Sequence, residues 1–139
     1  MTHPRVAEAQ SAWDALAAGD PGPAFDSLTE DVVVENGPGA GPWRHVVGRN
    51  ALAEMLMTFA AQFRDDWKQE GRVVYADDHV VLTLVTETGT ATSGDRFDNV
   101  AVYVTRIDGD GKADRLWTVD LAHEAVEEFW RRNQPAVPA

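Results

Sequence analysis

Two apolar strands in this chain end on groups that can do chemistry. The run Glu30-Asp31-Val32-Val33-Val34-Glu35-Asn36-Gly37-Pro38 delivers Asn36, with Glu35 beside it, to the start of a Gly/Pro loop. Far downstream, Leu116-Trp117-Thr118-Val119-Asp120 delivers a carboxylate in the same manner. If both strands line one pocket, an amide that both donates and accepts stands near a group that can move a proton. Desolvation in an apolar pocket penalises the charged carboxylate and raises its pKa from about 3.9 toward the range useful for acid/base work. A competing reading makes Asp120 the N-cap of a following helix, accepting the amides of Ala122 or His123, which lowers its pKa instead. Asn36 also has two readings, a ligand-orienting amide or the first half of an Asn-Gly turn.

Tyr103 alternates onto one strand face with Phe97, Asn99, Ala101 and Thr105. A buried tyrosine needs a hydrogen-bond partner, either a ligand or a backbone carbonyl. Glu87 falls with Val81, Thr83 and Val85, although a one-residue slip in register turns it outward. Facing inward, it forms a carboxylate pair with Asp120 and drives one pKa up. Thr118 shares the face of Asp120. Trp13, Trp43 and Phe59 are the aromatic candidates for ligand contact, with Asn99, Glu87 and Thr118 as the polar ones. His45, His79 and His123 have no ligand spacing, so no metal is expected. Asp108-Gly109-Asp110-Gly111 lacks the remaining ligands of a calcium loop and reads as a hairpin turn. Glycines 37, 39 and 41 precede neither a helix nor a Lys-Ser/Thr pair, which excludes a phosphate-cradling loop. No cofactor is expected.

The elements that must position these groups are legible from periodicity. Val6, Ala9, Trp13, Leu16 and Ala17 recur at helical spacing, stopped by Gly19-Asp20-Pro21-Gly22. A short helix is predicted from Pro23 to Leu28 and a strand from Asp31 to Asn36. The stretch from Gly37 to Pro42 is a loop and Trp43 to Gly48 a brief strand. Asn50 is the predicted N-cap of a long helix whose stripe is Leu52, Met55, Leu56, Phe59 and Phe63. Strands are predicted over Arg72 to Ala76, His79 to Thr92, Arg96 to Ile107 and Ala113 to Leu121. A closing helix carries Val126, Phe129 and Trp130, and Gln134 to Ala139 is a frayed tail. Helices followed by an antiparallel meander make an α+β domain, here a single one over 1–133.

Composition narrows the partners. The net charge of −11 argues against nucleic acid, which is bound largely through Lys and Arg, and against an anionic membrane surface. No run approaches the ~20 apolar residues of a membrane span, and the N-terminus lacks a signal-peptide pattern. With no cysteine, disulfides and thiolate chemistry are excluded, and the expected compartment is the cytoplasm. Val100, Val102 and Val104, with Leu82 and Leu84, form an apolar face opposite the first, which predicts a homodimer burying sheet against sheet.

The order of elements and their turn sequences resemble the nuclear-transport-factor-2-like superfamily, in particular its SnoaL-like and ketosteroid-isomerase-like branches. The resemblance is carried by Ala17-Ala18-Gly19-Asp20, by Thr29 to Asn36, by Gly48-Arg49 and by Asp110-Gly111-Lys112, and covers nearly the whole chain. It implies a cone-shaped, curled antiparallel sheet wrapped around the long helix (a cystatin-like roll), with a ligand in the cone and dimers common. It also implies that Leu116, Thr118 and Asp120 face the cone. Asp120 stands at or near the acid/base Asp of SnoaL-like polyketide cyclases. Ketosteroid isomerases hold a catalytic Asp where this chain has Asn36. Their oxyanion Tyr falls near Ala12 or Trp13 here, and their second oxyanion acid at Tyr103. The Arg and first Asp of limonene-epoxide-hydrolase-like members are missing from Glu87-Thr88-Gly89-Thr90.

The expectation is therefore a small-molecule-binding protein whose apolar cavity takes a polyketide-like or steroid-like compound. As an enzyme it would work by proton transfer alone, as a cyclase, isomerase, dehydratase or hydrolase, with Asp120 as acid/base and Tyr103 and Asn36 polarising the substrate. The alternatives are a non-catalytic binding or accessory protein, and a dimeric interaction module whose cavity is filled by its own side chains.

Overall fold

The computed structural model describes residues 2–37, 40 and 43–133. Helix α1 (Pro4–Ala17) opens with proline in its first turn, where the fixed φ suits the helix and the missing N–H is no loss. Helix α2 (Gly22–Asp26) leads into strand β1 (Leu28–Glu35), followed by β2 (His45–Val47) and helix α3 (Arg49–Ala60). Four long strands follow, β3 (Lys68–Ala76), β4 (Val80–Thr90), β5 (Arg96–Ile107) and β6 (Ala113–Asp120), and helix α4 (His123–Arg132) closes the described chain.

The strands form one curled sheet in the order β2-β1-β6-β5-β4-β3. β3 to β6 are an antiparallel meander, as the run of turn signals predicts. β1 joins β6 in parallel, and β2 pairs antiparallel with β1 at the edge. The α+β roll expected from the sequence is the architecture of the chain. At the other edge, Gln10 of α1 covers β3: its Nε2 donates to the Gly71 carbonyl at 2.9 Å, and the Val73 amide donates to its Oε1 at 2.8 Å.

Alternation holds along the inner face. Val81, Thr83 and Val85 are buried on β4, as are Phe97, Asn99 and Ala101 on β5. On the outer face, Val100, Val119 and Leu121 keep 43%, 52% and 61% of their surface exposed. The core groups Val32, Val34 and Val46 with Leu52 and Met55 of α3, and a second cluster gathers Phe63, Phe97, Val126 and Phe129 under α4.

Several boundaries differ from the sequence reading. β1 starts at Leu28 rather than Asp31, and the short helix before it ends at Asp26 rather than Leu28. Gly48, not Asn50, caps α3: its φ of +102° suits a residue without a Cβ, and no side chain caps the helix. The helix ends at Ala60, so Phe63 lies past it, bridging to Ala91 in the α4 cluster. β3 begins at Lys68 rather than Arg72, because Lys68 to Gly71 continue the ladder with β4. The predicted tail and residues 38, 39, 41 and 42 of the Gly/Pro loop lie outside the described residues.

Candidate functional site

Register lays a polar row across the inner face of the sheet. Gln69 of β3 opposes Glu87 of β4, Glu87 opposes Asn99 of β5, and Ala101, the next inward residue of β5, opposes Asp120 of β6. Directly opposed Cβ atoms sit about 5 Å apart, within reach of polar side chains. Asn99 spends both amide protons on carboxylates, donating to Asp120 Oδ1 at 2.8 Å and to Glu87 Oε1 at 3.0 Å. Gln69 Nε2 donates to Glu87 Oε2 at 3.0 Å and to the Tyr103 hydroxyl at 2.9 Å, and that hydroxyl donates to Glu87 Oε2 at 3.3 Å. Asn99 is 3% exposed, and its Oδ1 has no hydrogen-bond partner among the described residues.

Electrostatics follow from this packing. Burial pushes the Glu87 carboxyl above the usual glutamate range; the neighbouring Asp120 charge adds to the rise, and the bonds from Asn99, Tyr103 and Gln69 oppose it. Burial, reinforced by the charges of Glu87 and Asp120, holds the Tyr103 phenol well above its ordinary value. Glu87 therefore faces inward, the orientation the sequence left open. Asp120 does not cap α4: the N-cap is Ala122, without a side-chain cap bond. Its carboxylate instead meets Asn99, and the backbone at Gly37 passes so close that a Cβ there would lie 3.2 Å from Oδ2.

Two cavities share this face. The larger, about 390 Å³, lies between the sheet and α1, α2 and α3, lined by Trp13, Phe25, Leu52, Leu116, Thr105 and Ile107 among others. The smaller, about 50 Å³, is lined by Glu87, Asn99, Asp120, Phe59 and Trp130. Asn36, Met55, Leu56, Tyr103 and Thr118 border both. From Tyr103 to Ile107 at roughly 3.4 Å per residue, the larger cavity follows β5 for about 14 Å.

The remaining candidates are distributed between these spaces. Asn36 is fully engaged: Nδ2 donates to the Trp43 carbonyl at 2.8 Å and contacts Met55 Sδ at 3.4 Å, and Thr118 Oγ1 donates to Oδ1 at 2.9 Å. It acts as a clasp between β1, β6 and α3. Trp43 is absent from the lining of both cavities and packs edge-on against Phe59, with centroids 5.0 Å apart. Trp13 lies over Gly71, where any Cβ would sit 2.2 Å from its ring, and meets Tyr103 edge-on. Gln69 was missed by sequence reasoning. Running the alternation backward from Val73 through Gly71 would have found it, had β3 been extended past Arg72. Among the described residues, no group of three His, Asp or Glu side chains is placed to hold a metal ion.

A family model described as a SnoaL-like domain matches residues 9–116. Among solved structures, the chain is similar to TerC co-crystallised with polyporic acid, at 17% identity and a TM-score of 0.70, covering 91% of this chain and 99% of that one. Rv0760c from Mycobacterium tuberculosis, in complex with estradiol-17β-hemisuccinate, matches at 15% identity and a TM-score of 0.62, covering 81% and 89%. The BvnE pinacolase from Penicillium brevicompactum matches at 14% identity and a TM-score of 0.68, covering 91% and 92%. A curated relative, the urease accessory protein UreD of Cupriavidus necator, is 27% identical over 124 residues, 73% of this chain. The chain spans only 42% of that protein's length.

Proposed function

The chain belongs to the SnoaL-like domain family, and from that premise we propose that it binds a largely apolar polyketide-like or steroid-like compound and catalyses proton transfer on it without a cofactor. The observation that carries this reading is the carboxylate pair Glu87 and Asp120, bridged by the buried amide of Asn99 beside the apolar cavity. Two carboxylates bridged by one amide do not ionise independently, and burial together with the Asp120 charge raises the Glu87 carboxyl, which favours holding a proton in the site. The volume of about 390 Å³ falls within the range of roughly 300–1,000 Å³ typical of ligand pockets, which counts against an interaction module with a filled cavity. The solved structures holding polyporic acid and estradiol-17β-hemisuccinate support the ligand class, and the pinacolase supports catalysis on this fold.

In this reading Asp120 is the acid/base, Tyr103 polarises the substrate carbonyl, and Asn36 holds the wall between the cavities. Native mass spectrometry of freshly purified protein identifies the bound molecule. Solvent deuterium entering that molecule, or a cyclic or aromatic ketone of the same class, reads the proton transfer. Asp120→Asn is expected to slow exchange by at least about 10²-fold while the far-UV circular dichroism stays unchanged. Unchanged exchange in a folded Asp120→Asn protein would end the catalytic proposal. Binding without any exchange in the wild type would favour the non-catalytic alternative, which the engaged amide of Asn36 supports.

Two copies are expected to pair through the outer face bearing Val100, Val102 and Val104 with Leu82 and Leu84, beside which Val119 and Leu121 are exposed, since a monomer would leave it to solvent. A monomeric mass by light scattering at micromolar concentration would count against that pairing.

A further inference from the structure

Tyr103 borders both cavities, and the bonds around its hydroxyl let a proton on one side change what it offers on the other. A phenol has one proton and two lone pairs. Its oxygen accepts from Gln69 Nε2 at 2.9 Å, and its proton goes to Glu87 Oε2 at 3.3 Å. While Glu87 is ionised, that single proton is committed to the carboxylate, and the larger cavity meets a tyrosine without a donor. Once Glu87 carries a proton, its own O–H lies within reach of the Tyr103 oxygen. Gln69 and Glu87 then fill both lone pairs, and the phenol proton is released toward the larger cavity.

We propose that Tyr103 is a switched hydrogen-bond donor for a carbonyl oxygen in the larger cavity, turned on when Glu87 is protonated and held in place by Gln69. The ligand class that follows is an uncharged ketone or quinone on an apolar body, inserted with its oxygen toward Tyr103. The inference rests on the reading that the larger cavity holds the ligand, and it assigns Glu87 and Gln69 positioning roles that act through Tyr103.

The groups surrounding Glu87 support such a switch. The titratable ones are Asp120 from β6, whose charge favours a proton on Glu87, and Tyr103 from β5, whose hydrogen bond opposes it. β3 presents the neutral Gln69, α3 presents Met55, Leu56 and Phe59, and α4 presents Val126 and Trp130. No cation from these elements lines the smaller cavity to pull Glu87 back into its ionised form. Burial raises the Glu87 carboxyl, which brings its titration closer to neutrality.

The test uses two probes of nearly equal shape, 2-acetylnaphthalene and 2-ethylnaphthalene, which differ by a carbonyl in place of a methylene. Their affinities for the protein are measured by calorimetry between about pH 4 and pH 9, a span that brackets a raised carboxyl. The ketone is expected to bind about tenfold more tightly at the acid end, the worth of one hydrogen bond in an apolar site, and the hydrocarbon to show no trend. In Tyr103→Phe the ketone loses its pH dependence. In Glu87→Gln, whose amide donates to Tyr103 at every pH, the ketone keeps the tight affinity throughout.

A flat ketone profile in the wild type overturns the switch, as does a pH dependence that survives Tyr103→Phe. If both probes bind with flat profiles, the switch falls and the ligand cavity stands. If neither binds, the cavity reading falls and the switch with it. A readout on the wild type alone guards against misfolded variants: the carbonyl stretching frequency of the bound ketone must fall on the acid side, and an unshifted frequency overturns the proposal.

Discussion

The two cavities are built on the same strands yet differ in almost everything else. One is about 390 Å³, walled by α1, α2 and α3 with a largely apolar surface; the other is about 50 Å³ and holds both carboxylates, Glu87 and Asp120. On β5 the change takes only a few residues: Phe97 and Asn99 belong to the small space, Thr105 and Ile107 to the large one, and Tyr103 to both. β6 repeats it, with Leu116 in the large space, Asp120 in the small one and Thr118 in both. The contrast teaches that a curled sheet can separate binding from proton handling along the length of its strands. A ligand in the large cavity would meet Tyr103 first and the carboxylates only behind it.

The strongest way to break this contrast is to remove the amide that makes two carboxylates tolerable in the small space. Asn99→Leu fits the strand but leaves Glu87 and Asp120 each short of an N–H donor. Unpaired buried charge is among the most destabilising lesions in a protein, and a loss of about 3 kcal/mol is expected at neutral pH in urea unfolding. Much of that loss should return in acid, where protonated carboxyls no longer require the donor. A loss under about 1 kcal/mol at neutral pH would mean that water already reaches both carboxylates.

A substitution on the other side of the partition should leave the small space alone. Gly71→Ala puts a methyl group 2.2 Å from the Trp13 ring, so the indole must shift away from β3. Overpacking of this kind costs about 1–3 kcal/mol. The displaced indole also moves the edge contact with Tyr103, whose ring centroid is 5.6 Å away. Weaker binding of 2-acetylnaphthalene is expected, with the pH dependence of stability unchanged. Wild-type affinity in this variant would show that Trp13 is not part of the ligand wall.

What the sequence revealed and what it hid differ in physical kind. Strand identity was legible because β-branched and aromatic residues crowd long runs bounded by turn signals, as in Val81 to Val85 and Phe97 to Thr105, and the strand period of two then fixed which residues share a face. The family resemblance was carried by the order of elements and by Ala17 to Asp20, Thr29 to Asn36, Gly48-Arg49 and Asp110 to Lys112. Register between strands was not legible, because alternation says which face a residue occupies and not which neighbour it meets. The Glu87–Asn99–Asp120 bridge depends on that pairing. Gln69 was hidden for a further reason: β3 shifts register between Val73 and Tyr75, which breaks the period that would have extended the strand. Asn50 looked like a cap because of its side chain, whereas the backbone at Gly48 required a glycine.

The smallest expected effect is the most specific to the contrast. Burial holds the Glu87 carboxyl above its unfolded value, so the native state binds this proton more tightly than the unfolded chain does. The stability that this proton confers is whole below the unfolded pKa of about 4.3 and is lost as pH rises through the raised native value. Glu87→Gln keeps an oxygen for Asn99 or Gln69 and gains a donor for Tyr103, so the network survives with no charge to desolvate. The variant should equal the wild type in acid and become the more stable of the two as pH rises, a gap that unfolding midpoints at a series of pH values would measure. If the two curves stay parallel, Glu87 is solvated like a surface carboxylate, and the small cavity has no electrostatic character to set against the large one.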